Sequence, residues 1–186
     1  MLPTLETERL ILRPINKNDA LDMFEYAHTD LVGPSAGWHP HLSIDETRIV
    51  IGLMMDSMKR TGLGTMAIVY KANKKMIGTI ELFNCIQNFK ADLGYSINSS
   101  YWGMGITVEA AKKVFEWAFN TLKLVRIQVQ LFTDNHQSER VCQKLHMEYE
   151  GIARSSYLRY DGKIFDCKIY SMTSNRYKKI KDEYYE

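Results

Sequence analysis

Long hydrophobic runs are missing from this 186-residue sequence. None approaches the roughly 18 consecutive apolar residues that a membrane-spanning helix needs. The opening stretch, Met1 to Arg13, lacks the basic-then-apolar pattern of a secretory signal, so the chain is expected in the cytoplasm and off the membrane. Net charge is nearly absent too. Twenty-four Lys+Arg against twenty-two Asp+Glu leave a formal +2, too little for the basic footprint of nucleic-acid binding. Cysteine is scarce: Cys85, Cys142 and Cys167 are odd in number and far apart, with no CxxC or Cys/His pair at metal spacing. That excludes a disulfide framework and a zinc site and predicts reduced, partly buried thiols. No repeat, low-complexity tract or Pro/Gly/Ser linker divides the chain, and all four prolines fall in the first quarter. A single domain over residues 1–186 is expected, with 45% hydrophobic and 25% charged residues giving the mix of a globular protein with one buried core.

What is present has clear periods. Arg9 to Arg13 alternates and stops at Pro14, which predicts a strand. Asn18 is placed to cap a helix carrying Leu21, Phe24 and Ala27. After a Gly/Pro-rich loop, Val32 to His41, the pair Ser43 and Glu46 predicts a capping box for a helix to about Lys59. Runs rich in β-branched and aromatic residues at Met66–Tyr70, Ile77–Phe83 and Asp92–Ile97 predict an antiparallel meander, with Asn73 in its first turn. A glycine loop, Trp102 to Thr107, leads into a helix ending near Asn120, and Val125 to Leu131 alternates strictly as a strand with one polar face. Such a strand-helix-strand crossover is expected to be parallel. A helix at about Gln137–Leu145 and two strands joined at Asp161-Gly162 follow. The tail, Arg176 to Glu186, reads as a solvated terminal helix.

The loop Trp102-Gly103-Met104-Gly105-Ile106-Thr107 carries the most chemistry. Two glycines let the backbone approach a ligand closely, and the first N–H groups of the helix behind them lack intrahelical partners, which suits a phosphate or pyrophosphate. A plain tight turn fits the two glycines equally well. A Walker loop would need Gly-Lys-Ser/Thr, and a dinucleotide fold would place its glycines after the first strand of a parallel array, so both nucleotide readings fail.

Four segments in order then resemble the GNAT-type N-acetyltransferases, in the branch that acetylates ribosomal-protein N-termini and its relatives. They are Leu5-Glu6-Thr7-Glu8-Arg9-Leu10-Ile11-Leu12-Arg13-Pro14 with Asp19-Ala20; Leu93-Gly94-Tyr95 with Tyr101 to Ala110; Asn135-His136-Gln137-Ser138 with Lys144-Leu145; and Asp161-Gly162 with Asp166 and Tyr170-Ser171. The resemblance implies one α/β domain, β-α-α-β-β-β-α-β-α-β-β. Its mixed, mostly antiparallel sheet is flanked by helices, its fourth and fifth strands run parallel and splay, and the acetyl-CoA core spans about 92–146. It implies acetyl-CoA as co-substrate, no metal, and direct acetyl transfer to a primary amine of a peptide N-terminus or a small molecule, in a monomer or homodimer. An alternative is a CoA-binding sensor or interaction module without catalysis.

The site residues follow from the same resemblance. The backbone of Gly103, Met104, Gly105, Ile106 and Thr107 would cradle the pyrophosphate. The backbone of Ser96, Ile97 and Asn98 would pair with the pantetheine arm, an N–H near Ile97 facing the thioester oxygen. Asn135 would bond the arm, and Ser138 would protonate the leaving thiolate. Both are also ordinary helix caps. Where the branch has its usual Glu base, this chain has Tyr157. Asp92 and Glu81 are substitutes by location alone, each equally a solvated strand residue. His146 stands where the family usually ends a helix with Gly, and a His can adopt that positive φ at modest cost. In the loop Val32 to His41, Trp38 and His39 are candidates for reading the amine. His39-Pro40-His41 as a metal pair lacks a third ligand nearby in sequence.

Overall fold

The computed structural model describes residues 2–184. The expected first strand forms as β2 (Leu10–Pro14), with Leu10 and Leu12 wholly buried. A two-residue strand, β1 (Leu5–Glu6), pairs antiparallel with it across a turn in which the Leu10 N–H donates to the Thr7 hydroxyl. Two residues show no period, so no pattern marks β1. Asn18 is not the cap of the next helix. Asn16 accepts the Asn18 N–H at 2.9 Å and donates its own N–H to Asp19 at 2.8 Å, opening a 3-10 turn that runs into α1 (Ala20–Ala27). The loop after α1 holds a short helix, α2 (Gly33–Ala36), ended by Gly37 at φ 94°. In α3 (Ile44–Thr61) Ser43 accepts the Glu46 N–H as expected, but the Glu46 carboxylate takes the Leu42 N–H, so half of the expected box forms.

The meander appears as β3 (Thr65–Tyr70), β4 (Lys75–Ile86) and β5 (Lys90–Ile97), and Asn73 caps its first turn by accepting the Lys75 N–H. Then come α4 (Ile106–Asn120), β6 (Arg126–Phe132), α5 (His136–Lys144), β7 (Glu148–Leu158), β8 (Ile164–Thr173) and α6 (Ser174–Ile180). Hydrogen bonding orders the strands β1-β2-β3-β4-β5-β6-β8-β7. The pairs β1/β2, β2/β3, β3/β4, β6/β8 and β7/β8 are antiparallel, and β5/β6 is parallel, Lys90 to Asp92 lying opposite Arg126 to Gln128. This is the expected mixed α/β fold with one parallel pair.

Two compact units divide the described residues: one runs to Leu82 and includes Gly94–Ala110, and the other takes Phe83–Leu93 and the chain from Ala111 onward. In the first, Ile15, Met23, Tyr26, Ile51, Ala67, Val69 and Met76 form one buried cluster, the helical period of α1 and α3 meeting the inner faces of β3 and β4. In the second, Phe119 of α4 stacks on Tyr177 of α6 at 4.9 Å, and the Tyr184 hydroxyl donates to the Leu145 carbonyl at 2.6 Å. The tail is therefore not simply solvated, because Tyr177 and Tyr184 are buried anchors. Tyr185 and Glu186 lie outside the described residues. His146 adopts φ 55° after α5, as expected. Cys142 and Cys167 are buried, Cys85 is half-buried, and none of the three is in a disulfide. Among the described residues, no helix is long and apolar enough to cross a membrane.

One ion pair ties three strands of the second unit. Arg126 of β6 donates two bonds of 2.6 Å to Glu150 of β7, which also accepts the hydroxyl of the wholly buried Ser171 of β8. The Arg126 guanidinium is the main cause that holds the Glu150 carboxyl down at about 2, the Ser171 hydroxyl assisting. A carboxyl lower in the folded than in the unfolded chain stabilises above its unfolded value near 4.3 and loses that contribution as pH falls through the folded value. Glu150→Gln is expected to cost about 1 kcal/mol at pH 7, a modest figure because the pair is partly solvated. Urea denaturation at pH 7, 4 and 2.5 checks this: the gap between wild type and variant should narrow on acidification, and a constant gap contradicts it.

Candidate active site

The end of β5 is pinned from several sides within the first unit. Gly78 of β4 permits the closest contact, since a Cβ there would collide with the Ser96 carbonyl and lie 2.7 Å from Ile97 Cδ1. The Asn98 N–H donates to the Ile77 carbonyl at 2.8 Å, and the Trp102 indole N–H donates to the Ile97 carbonyl at 3.0 Å. Asn98 Oδ1 accepts the Ser100 N–H while its amide donates to Glu25. Glu25 is ion-paired with Lys75, the main cause that lowers its carboxyl, so it stays a charged acceptor. The Ser96 hydroxyl bonds Thr79 at 2.9 Å beside the buried Tyr26 phenol, which burial pushes up. Both polar side chains here are engaged, and what Ser96 to Asn98 can offer a ligand is backbone. Of that backbone, the Ile97 carbonyl and both the N–H and the carbonyl of Asn98 are already bonded, the last to the Tyr101 N–H at 2.9 Å.

After β5 the chain turns through the glycine loop. Gly103 stands at φ 79° and Gly105 at φ 73°, the left-handed region in which glycine escapes the Cβ penalty. A Cβ at Gly103 would meet nothing within 4 Å, so conformation, not space, requires glycine there. The helix α4 begins directly at Ile106, and its first N–H groups have no intrahelical acceptors. Glu109 lies in that first turn, where a carboxylate favours the helix dipole but repels an incoming anion. Arg9 answers it: Nε donates to Glu109 Oε2 at 2.6 Å, and Nη1 donates to the Met104 carbonyl at 3.0 Å. Burial alone would raise the Glu109 carboxyl, but bonds from the Thr7 hydroxyl and from the Arg9 backbone and side chain outweigh it and hold the group below its usual value.

The second unit gathers Asn135, Ser138 and Tyr157 near the end of β6. Asn135 donates its N–H to the Phe132 carbonyl at 2.9 Å, and its side chain accepts the Ser138 N–H at 3.0 Å. The capping geometry is thus realised. The Tyr157 ring meets Phe132 edge-on at 5.1 Å. A bulge aims it: from Ala153 to Tyr157 the chain takes four steps on β7 against two on β8, from Cys167 to Phe165. Ser155 stands at φ 48° there, and its N–H donates to Asp166. Glu139, next to Ser138, is held by Lys168 and the Tyr170 hydroxyl, which lower its carboxyl. Burial first, and Glu139 second, push the Tyr170 phenol up to about 12.

The remaining candidates sit elsewhere. Asp92 lies opposite Gln128 and accepts from Asn84 at 2.9 Å, while Glu81 accepts the Thr65 hydroxyl at 2.8 Å. Trp38 is half-buried against the first unit's core, covers Gly33 and lies against the His41 ring, so packing already accounts for it. His39 is exposed, 3.1 Å from Glu46. His41 is buried on the Thr47 hydroxyl, and that burial lowers its pKa. Among the described residues no cluster of three His, Cys, Asp or Glu is placed to hold a metal. Arg9 and Glu109 had no role assigned from sequence. The available signals were an arginine opening a strand and an acid in the first turn after the glycines.

The sequence model of the acetyltransferase (GNAT) domain matches residues 9–148. An uncharacterized N-acetyltransferase of Bacillus subtilis (strain 168), YoaA, is 32% identical over 177 residues, covering 95% of this chain and 99% of that protein. The ribosomal protein uS5-alanine N-acetyltransferase of Escherichia coli (strain K12) is 25% identical over 179 residues, 91% of this chain and 90% of that one. The crystal structure of the microcin C7 self-immunity acetyltransferase MccE, in complex with acetyl-CoA and AMP, superposes with a TM-score of 0.78 at 20% identity, covering 90% of this chain and 93% of that chain.

Gly78→Ala tests the close approach of β4 to the end of β5. Overpacking against backbone that cannot yield is expected to cost about 2 kcal/mol, or roughly 6 °C in melting temperature for a chain of this length. A calorimetric scan checks it, and a melting temperature within a degree of wild type contradicts it.

Proposed function

Because the chain belongs to the acetyltransferase (GNAT) domain family, whose enzymes are acetyl-CoA-dependent, we propose that it moves an acetyl group directly from acetyl-CoA to a primary amine. The observation that carries the reading is the pair of left-handed glycines, Gly103 and Gly105, leading straight into the N-terminus of α4. Their backbone with that of Met104, Ile106 and Thr107 holds the pyrophosphate, and the backbone at the end of β5, Ser96 to Asn98, pairs with the pantetheine arm. The neutral amine attacks the thioester carbon, negative charge gathers on the carbonyl oxygen, and an N–H near Ile97 stabilises it. Collapse breaks the C–S bond. The amine's proton leaves to solvent, the thiolate takes a proton from Ser138 or Tyr157, and that hydroxyl regains one from solvent, giving the amide and free CoA thiol. Asn135 bonds the arm while it caps α5.

The acceptor is a peptide N-terminal amine or a small-molecule amine. The named activity of the Escherichia coli relative, on an alanine of a ribosomal protein, makes an Ala-initiated peptide the first choice for a panel that also holds polyamines and aminoglycosides. Thiol release from acetyl-CoA is expected with at least one amine. Release with none, while CoA still binds, favours the module without catalysis that Tyr157 in place of Glu would allow.

With an active amine in hand, Ser138→Ala should lower kcat by about 100-fold or more, the span of general acid catalysis, with KM for acetyl-CoA nearly unchanged. Asn135→Ala should instead raise that KM. A fall in kcat below about threefold removes Ser138 from the proton transfer, and Tyr157→Phe then reads the other hydroxyl. Full turnover in both variants contradicts side-chain acid catalysis here.

A further inference from the structure

Between the two left-handed glycines lies the Met104–Gly105 peptide, whose orientation decides what the loop presents. In a planar trans peptide the carbonyl and the following N–H point in opposite directions. A flip of that unit turns the φ of Gly105, and glycine there makes it sterically cheap; a flipped unit would turn the Met104 carbonyl to where the Gly105 N–H had been. A carbonyl facing an anion is repulsive where an N–H is attractive. Arg9 Nη1 donates to the Met104 carbonyl at 3.0 Å and so holds one of the two orientations.

Arg9 is in turn held. Its Nε and Nη2 both lie 2.6 Å from Glu109 Oε2, and its backbone N–H donates to Glu109 Oε1 at 3.0 Å, beside the Thr7 hydroxyl. The guanidinium therefore joins three segments of the first unit: the β1–β2 turn, the loop and the first turn of α4. It also neutralises the one acid of that first turn, which would otherwise oppose a bound anion. Arg9 Nη2 lies 3.8 Å from where a Gly105 Cβ would stand, so the clasp borders the loop itself.

We propose that Arg9 is the positioning residue of the glycine loop: held by Glu109 and Thr7, it fixes the Met104–Gly105 peptide so that the Gly105 N–H faces the diphosphate of the co-substrate. This rests on the acetyl-CoA reading above. It adds a residue that acts through the loop without being a catalytic residue, and it makes the affinity for the diphosphate portion depend on a hydrogen bond made some hundred residues away in sequence.

The test is binding, measured by calorimetry on the whole chain with CoA, inorganic pyrophosphate and pantetheine, which lacks the diphosphate. Arg9→Ala should weaken CoA about tenfold, the equivalent of one lost hydrogen bond, and weaken pyrophosphate in parallel. Whatever affinity pantetheine shows should stay within about twofold, because the loss is confined to the anion end. Arg9→Lys, a cation without the fork, should recover part of the loss, and Glu109→Gln should fall between. Wild-type affinity for CoA in Arg9→Ala, or an equal loss for pantetheine, overturns the inference and leaves the acetyl-CoA reading standing. Failure of the wild-type chain itself to bind CoA overturns both. Should Arg9→Ala not fold, Glu109→Gln reads the same clasp, and unchanged CoA affinity in that folded variant overturns the proposal equally.

Discussion

A loop that binds an anion through its backbone must leave its own N–H groups unbonded, so its conformation has to be held by everything except those groups. That constraint organises the first unit. The Trp102 indole takes the Ile97 carbonyl, Asn98 holds the Ser100 N–H, Glu25 holds Asn98, and Arg9 takes the Met104 carbonyl. Each of these bonds engages a carbonyl, a side chain or an N–H before the loop. The glycine loop is thus held at its borders, and in the proposed reading its interior donors are the groups that meet the diphosphate.

Charge is arranged on the same plan. Glu25 with Lys75, Glu109 with Arg9, Glu139 with Lys168 and Glu150 with Arg126 are carboxylates kept ionised by a cation, and each ties separate elements together. Their lowered proton affinities fit structural acceptors and are the opposite of what a general base for an ammonium needs. The chemistry proposed for this chain therefore leans on hydroxyls, Ser138 and Tyr157, and on an amine that arrives neutral. Tyr157 is brought toward the end of β6 by a bulge in β7 and by the Phe132 ring, a placement that strand period alone would not produce.

How much of this was readable beforehand depended on distance along the chain. The alternation of β6, the Ser43 cap and the Asn73 turn are local, and each residue announces its own conformation, whereas the left-handed His146 was legible only from the Gly that the family usually has there. The short β1 and the reciprocal Asn16–Asp19 box were missed because two residues carry no period and because Asn16 and Asn18 offer the same cap. Tyr177 and Tyr184 looked solvated among lysines and acids, yet they are buried by packing with Phe119 and Leu145, partners that no local pattern names. The glycine loop stood out from sequence as an anion site or a tight turn, and its assignment to acetyl-CoA came from resemblance. The clasp of Arg9 on Glu109 joins residues about a hundred apart, and only the fold brings them together.

The most direct measurement follows the loop's own amides. In a chain labelled with nitrogen-15 glycine, CoA should move the Gly103 and Gly105 N–H resonances downfield as they bond to the diphosphate, while the turn glycines Gly62 and Gly162 stay in place. Saturable shifts at Gly103 and Gly105, reproduced by inorganic pyrophosphate alone, are the result expected. CoA binding that leaves both resonances unmoved would contradict the account at its centre.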